Sequence, residues 1–280
     1  MRVAVVSNRN LPGYPHRNVA DHVAWIAKAA KGGARLLLLP ELSLSGYSCK
    51  PFMRGLGMSL NGRLCRRLID AAGEHDVFVA WGLPLRRRGR LYISHALAGP
   101  GGLLGHYEKV HLAGGRDGEG RVFSPGSRFK VFDVDGVRVG INICFDGRHP
   151  ASSLCLAHLG AEVILHPHGN TVGDLGIDPR DWTGKKRAYL GARAADTCTF
   201  MCICNSVGSV RDRAGQMIHY SGGALILGPD GRFVARSAGT FRRPHMVVAD
   251  LNIDKLRRLR HRSSFAARRP EVYAEALTRR

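Results

Sequence analysis

Short apolar runs, alternating or continuous, recur along the chain. Between them lie stretches whose apolar residues return every three or four positions. The first pattern predicts strands at 3–7, 35–39, 77–81, 92–97, 103–109, 129–134, 137–143, 161–165, 200–205, 224–227 and 246–251. The second predicts helices over 18–31, 62–74, 152–159, 185–197 and 254–262, the first of them stopped by Gly32-Gly33. Asp135-Gly136 and Pro229-Asp230-Gly231 read as tight reversals between strands. Strands alternating with helices, together with hairpin-like pairs, predict a layered α/β fold with a mixed sheet. No repeat, low-complexity segment or Pro/Gly/Ser-rich linker interrupts the pattern, so one domain over 1–280 is expected, with about the last 25 residues forming a C-terminal arm.

A chain of 280 residues with 44% hydrophobic content can bury one sizeable core. The longest apolar run is too short for a membrane span, and the N-terminus reads as a first strand without the features of a secretory signal, so a cytoplasmic location is expected. Seven cysteines, an odd count with no stapling pattern, fit reduced thiols. Cys202 and Cys204 fall on one face of a strand with no second ligand pair nearby, and His166-Pro167-His168 lacks a third ligand; that pair reads as two loop histidines, one lining a pocket. The formal net charge of +20 raises the question of a nucleic-acid partner. Its two clusters, Arg86-Arg87-Arg88-Gly89-Arg90 and Arg257-Arg258-Leu259-Arg260-His261-Arg262, read instead as a hairpin tip and a helix face, and neither carries interleaved aromatics for base stacking. No specific nucleic-acid partner is expected.

The chemistry centres on Cys144, which ends an alternating strand and precedes the turn-prone Phe145-Asp146-Gly147-Arg148-His149-Pro150. A thiol on a sharp strand-end turn is rigid yet reachable, as a nucleophile must be. Glu41 follows the apolar run that ends at Leu39-Pro40. Such a carboxylate is either a desolvated base or a surface cap, and the pattern leaves both open. Lys109 closes another strand. Its ammonium could stabilise an oxyanion and favour a thiolate, or simply be solvated. Glu119 sits in a glycine-bounded loop and reads as a surface acid or as one that orients Lys109. Tyr47, Asp146, His168, Asn170 and Trp182 are candidate pocket walls.

Taken in order, Pro40-Glu41-Leu42-Ser43-Leu44-Ser45-Gly46-Tyr47, Glu108-Lys109-Val110-His111-Leu112 and Asn142-Ile143-Cys144-Phe145-Asp146 make the chain resemble the carbon–nitrogen hydrolase (nitrilase) superfamily. The resemblance extends downstream to Leu159-Gly160-Ala161-Glu162 and Asn205-Ser206-Val207-Gly208. It implies a four-layer αββα sandwich with two mixed sheets, Glu41 as base, Cys144 as nucleophile, Lys109 as stabiliser of a tetrahedral intermediate, Glu119 as a further active-site glutamate and the Phe145 amide as an oxyanion donor. It also implies no metal or organic cofactor, and a homodimer or larger homo-oligomer. The activity it implies is hydrolysis of a small amide or carbamoyl compound; a nitrilase is the alternative, and a polyanion-binding protein the alternative from another class. The chain departs from the pattern at Ala151, where a Glu is usual, and at Asp196-Thr197, where Glu-Asn is common. Gly147 stands where D-carbamoylases carry a carboxylate-binding Arg, which argues against that substrate class; Gly147-Arg148-His149-Pro150 partly resembles the β-ureidopropionase branch.

Overall fold

The alternation within each strand is what divides the interior into three cores. In a computed structural model, which describes residues 1–115, 118–172, 179–237 and 243–278, Val3 and Val5 of the first strand point into one apolar cluster, and Ala4 and Val6 into another. Side chains on successive strand positions face opposite ways, so a strand buried on both faces must be apolar throughout.

The elements run β1 (Arg2–Ser7), α1 (Pro15–Lys31), β2 (Leu36–Leu38), α2 (Arg63–Glu74), β3 (Phe78–Arg87), β4 (Arg90–Gly99), β5 (Gly102–Glu108), β6 (Val131–Val134) and β7 (Val137–Ile141). They continue with α3 (Pro150–His158), β8 (Val163–His168), α4 (Pro179–Thr197), β9 (Phe200–Asn205), β10 (Val207–Arg211), β11 (Met217–Ser221), β12 (Ala224–Leu227), β13 (Phe233–Arg236), β14 (His245–Asp250), α5 (Ile253–Arg260) and α6 (Pro270–Thr278). Among the described residues two six-stranded sheets form, ordered β14-β1-β2-β3-β4-β5 and β13-β12-β9-β8-β7-β6. Both are mixed. β1, β2 and β3 pair in parallel, as do β7, β8 and β9, and the flanking pairs are antiparallel.

The sheets face each other across a core built from Val5, Leu36, Leu38, Ile141, Leu165, Cys202 and Cys204. α1 and α2 cover the outer face of the first sheet, and α3 and α4 that of the second. The fold is thus a four-layer αββα sandwich. Cys202 and Cys204 are apolar core packing between the sheets, where burial pushes both thiols up.

The two reversals close as antiparallel pairs, β6 with β7 and β12 with β13. Asp135 and Gly136 take positive φ (53° and 76°), as a type I′ turn requires. The arginine cluster at 86–90 caps the β3–β4 hairpin, and Arg87 forks onto Glu108 at 2.7 and 2.9 Å. In the second cluster Arg257 forks onto Glu162, and Arg260 donates to the Ala157 and Ala161 carbonyls at the end of α3. Three arginines of the two clusters, Arg87, Arg257 and Arg260, thus serve internal contacts. His166 and His168 are not loop residues: β8 runs through both, with Pro167 opposite Cys204, and both rings are fully buried. No described helix is long and apolar enough to cross a membrane.

Candidate active site

The ends of β2, β5 and β7 converge where the two sheets meet. Leu39 still pairs through its N–H with Ala80, after which Pro40 breaks the ladder and Glu41 turns inward, its own N–H reaching the His168 carbonyl of the opposite sheet at 3.3 Å. The turn lies directly on β3 because residue 82 is glycine: a Cβ there would come within 2.2 Å of the Leu42 nitrogen. Lys109 follows β5, its N–H held by the Ile93 carbonyl and its carbonyl by Gly126 N–H.

Lys109 is fully buried, and its Nζ donates to Glu41 Oε1 at 2.6 Å and to Glu119 Oε1 at 2.7 Å. Glu119, on a short 3-10 turn (Glu119–Arg121), accepts from the Tyr47 hydroxyl at 2.8 Å through the same oxygen and from Ala113 N–H through the other. Glu41 Oε2 is buried without a hydrogen-bond partner among the described residues. Burial raises the Glu41 carboxyl to about 7; Lys109 pulls it down, the nearby Glu119 charge pushes it up, and the Cys144 thiol lowers it. Lys109 loses stability as a cation through burial, but the two carboxylates outweigh that and hold it well above its ordinary value.

Cys144 begins a 3-10 turn (Cys144–Arg148) and adopts φ 48°, a left-handed conformation that side-chain-bearing residues rarely take. Asp146 fastens this turn. Its Oδ2 accepts from Ile143 N–H and the Tyr107 hydroxyl, and its Oδ1 from His111 N–H and meets His111 Nδ1, all at 2.8–2.9 Å. Burial raises the Asp146 carboxyl, but these bonds outweigh it and hold the group below the usual carboxylate range. Since Tyr107 and His111 flank Lys109, one carboxylate fixes the lysine strand to the cysteine turn. Residue 147 must be small, because a Cβ there would lie 2.5 Å from the His166 ring.

The Cys144 thiol opens on a cavity of about 1140 Å³. Burial and the Glu41 charge push the thiol up to about 12, against the pull of Lys109 and Lys186. The resting group is therefore neutral, and an acceptor must take its proton as it reacts. Tyr47, Phe145 and Asn170 line this cavity, with Asn170 Nδ2 donating to the Cys144 sulfur at 3.5 Å. Asp146 and His168 do not line it: Asp146 is consumed by the turn, and His168 is buried behind the wall against Lys186. The side chain of Trp182 lies outside the described residues. Sequence reasoning passed over Lys186 and Tyr189 of α4, which do line the cavity, and the Tyr107–Asp146–His111 clamp. His111, two residues beyond Lys109, was the one signal for the clamp; Lys186 sat in a Lys-Lys-Arg run that reads as a solvated helix face.

The fold, two face-to-face mixed sheets between layers of helices, is matched by known proteins. The carbon-nitrogen hydrolase family profile covers residues 2–261, and the chain belongs to that family. It is 33% identical over 252 residues to an (R)-stereoselective amidase from Pseudomonas sp., covering 90% of this chain and 86% of that one. It is 29% identical over 266 residues to the omega-amidase of Homo sapiens, covering 92% and 91%. A mutant amidase from Nesterenkonia sp. AN1, showing Michael addition of acrylamide at its active site cysteine, superposes with a TM-score of 0.80 at 26% identity, covering 98% and 99% of the two chains.

Proposed function

We propose that the protein is a cysteine-dependent amidase that cleaves a small linear amide or carbamoyl compound, with Cys144 as nucleophile, Glu41 as base and Lys109 as electrostatic stabiliser. The observation that carries this reading is the buried Glu41 carboxylate, which the Cys144 thiol lowers through a side-chain hydrogen bond, beside a thiol that burial keeps protonated. A carboxylate raised to about 7 ionises near neutral pH and still has useful basicity there.

The sequence of steps follows from the geometry. Glu41 takes the Sγ proton as sulfur attacks the amide carbon. Negative charge develops on the carbonyl oxygen, and the Lys109 ammonium and the Phe145 N–H stabilise it. The C–N bond breaks as protonated Glu41 returns the proton to the departing amine or ammonia, leaving a thioester (or a thiocarbamate, from a carbamoyl compound). Water, deprotonated by Glu41, then attacks that carbonyl, and the thiol leaves and is reprotonated. Glu119, bound to Lys109 and Tyr47, positions the ammonium.

The test is Cys144→Ala, assayed by ammonia release from panels of amides, carbamoyl amines and nitriles. Loss of about three or more orders of magnitude is expected, with a trapped acyl adduct found by mass spectrometry on Cys144 and on no other cysteine. Undiminished hydrolysis in the variant would refute the mechanism. We further propose a cytoplasmic homodimer or larger homo-oligomer built on the single domain. Its support is α6, which buries none of its own residues and exposes Val272, Tyr273 and Leu277 in the C-terminal arm. Leu277→Asp should shift the sedimentation coefficient to that of a smaller species.

A further inference from the structure

Two imidazole rings meet at the cysteine turn, and the steps proposed above use neither. His111 follows Lys109 by two residues, and His149 follows Phe145 by four, just past the turn that Cys144 begins. Their rings stack face to face, with centroids 4.0 Å apart and planes 18° from parallel. The His149 ring also meets the Phe145 ring edge-on, at 5.3 Å and 78°. His111 is itself fixed: Asp146 Oδ1 lies 2.8 Å from its Nδ1, and the buried Ser152 hydroxyl of α3 lies 3.4 Å from the same nitrogen. A chain of aromatic contacts therefore runs from the segment that carries Lys109, through His149, to the residue that follows the nucleophile.

Packing holds the His149 ring. Its Nε2 is buried without a hydrogen-bond partner among the described residues, while stacked and edge-on aromatic rings attract one another. Burial, and then the charge of His111, lower the His149 imidazole against the pull of Asp146, so the ring is neutral at neutral pH. The residue at the far end of these contacts has a free donor. The turn spends the Asp146 N–H on the Ile143 carbonyl and the His149 N–H on the Asp146 carbonyl, each at 3.0 Å. The Phe145 N–H finds no backbone partner among the described residues, as the opening N–H groups of a helical turn do not. An oxyanion donor must be uncommitted and held at one angle, because a misplacement of about 1 Å can cost about 10²-fold in rate. The Phe145 amide is uncommitted, and its side chain is the handle by which His149 holds it.

We propose that His149 is a positioning residue for the oxyanion donor: stacked on His111 and edge-on to Phe145, it sets the Phe145 peptide against Cys144 and ties that donor to the strand end that supplies Lys109. The inference rests on the amidase reading, in which the Phe145 N–H and the Lys109 ammonium meet the same oxygen. His149 is not among the residues that line the cavity, so it acts through Phe145.

The experiment sets two reactions of Cys144 against each other. Alkylation by iodoacetamide displaces iodide from a saturated carbon, so it uses the thiol and its base but builds no oxyanion. Amide hydrolysis uses all three. In His149→Ala, kcat for the fastest amide of the panel should fall about 10- to 100-fold with KM within about threefold of wild type, while the alkylation rate at the same pH stays within about threefold. His149→Phe keeps a ring in the stack and should restore kcat to within about threefold of wild type. If His149→Ala does not fold, His149→Leu, which fills the volume without a ring, takes its place with the same expected split. Alkylation and turnover that fall together would show that the stack merely holds the turn, and would overturn the proposal; so would an unchanged kcat, or a His149→Phe enzyme as slow as His149→Ala. A second arm needs no turnover. Butyraldehyde adds the thiol across its carbonyl: the sulfur–carbon bond forms, the C=O π bond breaks, and the thiol proton passes to the new oxygen, which sits where the oxyanion would. Protection of Cys144 against iodoacetamide by butyraldehyde should need about tenfold more aldehyde in His149→Ala. Equal protection in the two proteins sinks the positioning role; protection that depends on His149, in an enzyme that hydrolyses no amide, would leave that role standing and remove the amidase reading.

Discussion

Replacing Glu119 with Gln separates the electrostatics of the site from its shape. Glu119 Oε1 receives both the Lys109 ammonium and the Tyr47 hydroxyl, and Oε2 receives Ala113 N–H. A carboxamide of the same size has one acceptor oxygen and must aim its NH₂ at one of these donors, so at least one contact becomes donor against donor; that costs about 1–3 kcal/mol. The more telling effect is on Glu41. Glu41 Oε1 and Glu119 Oε1 both lie within 2.7 Å of one nitrogen, so they stand roughly 5 Å apart or less. Their repulsion at an effective dielectric of about 20 is about 3 kcal/mol. If a third of that reaches Glu41 after relaxation, its carboxyl falls by about 0.7 pH unit. Losing Glu119 also leaves the Lys109 charge undivided on Glu41, which pushes in the same direction.

Two outcomes follow, with opposite signs. The plateau rate of Cys144 alkylation by iodoacetamide, and of amide turnover, should fall by about 10²-fold as Lys109 loses its anchor. The acid limb of both profiles should meanwhile move to lower pH from its wild-type midpoint at about 7, because the base stays ionised further into acid. The assay is pseudo-first-order inactivation measured across pH 5 to 8, which needs no knowledge of the substrate. A limb that stays in place or moves upward would refute the argument that Glu119 raises Glu41, whatever happens to the rate.

Two other perturbations test the scaffold. Gly147→Ala drives a methyl to within 2.5 Å of the His166 ring and 3.0 Å of Leu190, so overpacking should cost about 1–3 kcal/mol in thermal unfolding and slow Cys144 alkylation; wild-type values for both would show that the turn has room to spare. Three fully buried histidines, His22, His95 and His166, are lowered to about 3, in each case chiefly by burial. Unfolding frees them to protonate at their ordinary value near 6.5, so their contribution is complete above about pH 6.5 and is lost progressively as pH falls toward 3, each adding up to about 1.4 kcal/mol per pH unit to the slope. His95→Phe should flatten the dependence of the melting temperature on pH between 6 and 4.5, and an unchanged slope would contradict the assignment.

How much of this was readable from residues alone differs by level. Strand positions emerged wherever both faces are buried, because continuous apolar runs such as Leu36-Leu37-Leu38-Leu39 admit little else. β10, β11 and β13 did not, since they are short and half exposed and carry polar residues or Gly208. His166 and His168 were misplaced into a loop because Pro167 and two polar rings break the apolar pattern. The strand persists because Pro167 lies past the last β7 pair, at Leu165, where no ladder bond needs its N–H, and because Asn142 takes the His166 ring, its Oδ1 at 2.5 Å. Glu41, Lys109 and Cys144 were legible as strand-end residues in ordered motifs. Glu119 was readable as an acid that orients Lys109, but the bridge from Lys109 to Glu41 was not, since a partner 68 residues away is chosen by how the ends of β2 and β5 come together in the fold. For Asp146, a polar residue after a cysteine looks like pocket lining, and only the fold reveals that Tyr107 and His111 claim it.

The groups proposed to react belong to different halves of the sandwich: Glu41 and Lys109 leave the first sheet, while Cys144 leaves the second. Catalysis therefore gauges the gap between two slabs. A slight loosening of the inter-sheet core, too small to melt either sheet, would withdraw the base from the thiol and silence the enzyme while its secondary structure stays intact. Heat inactivation should run ahead of the loss of circular dichroism, and a substitution deep between the sheets, at Leu38 or Leu165, would act on the chemistry as directly as one in the cavity wall.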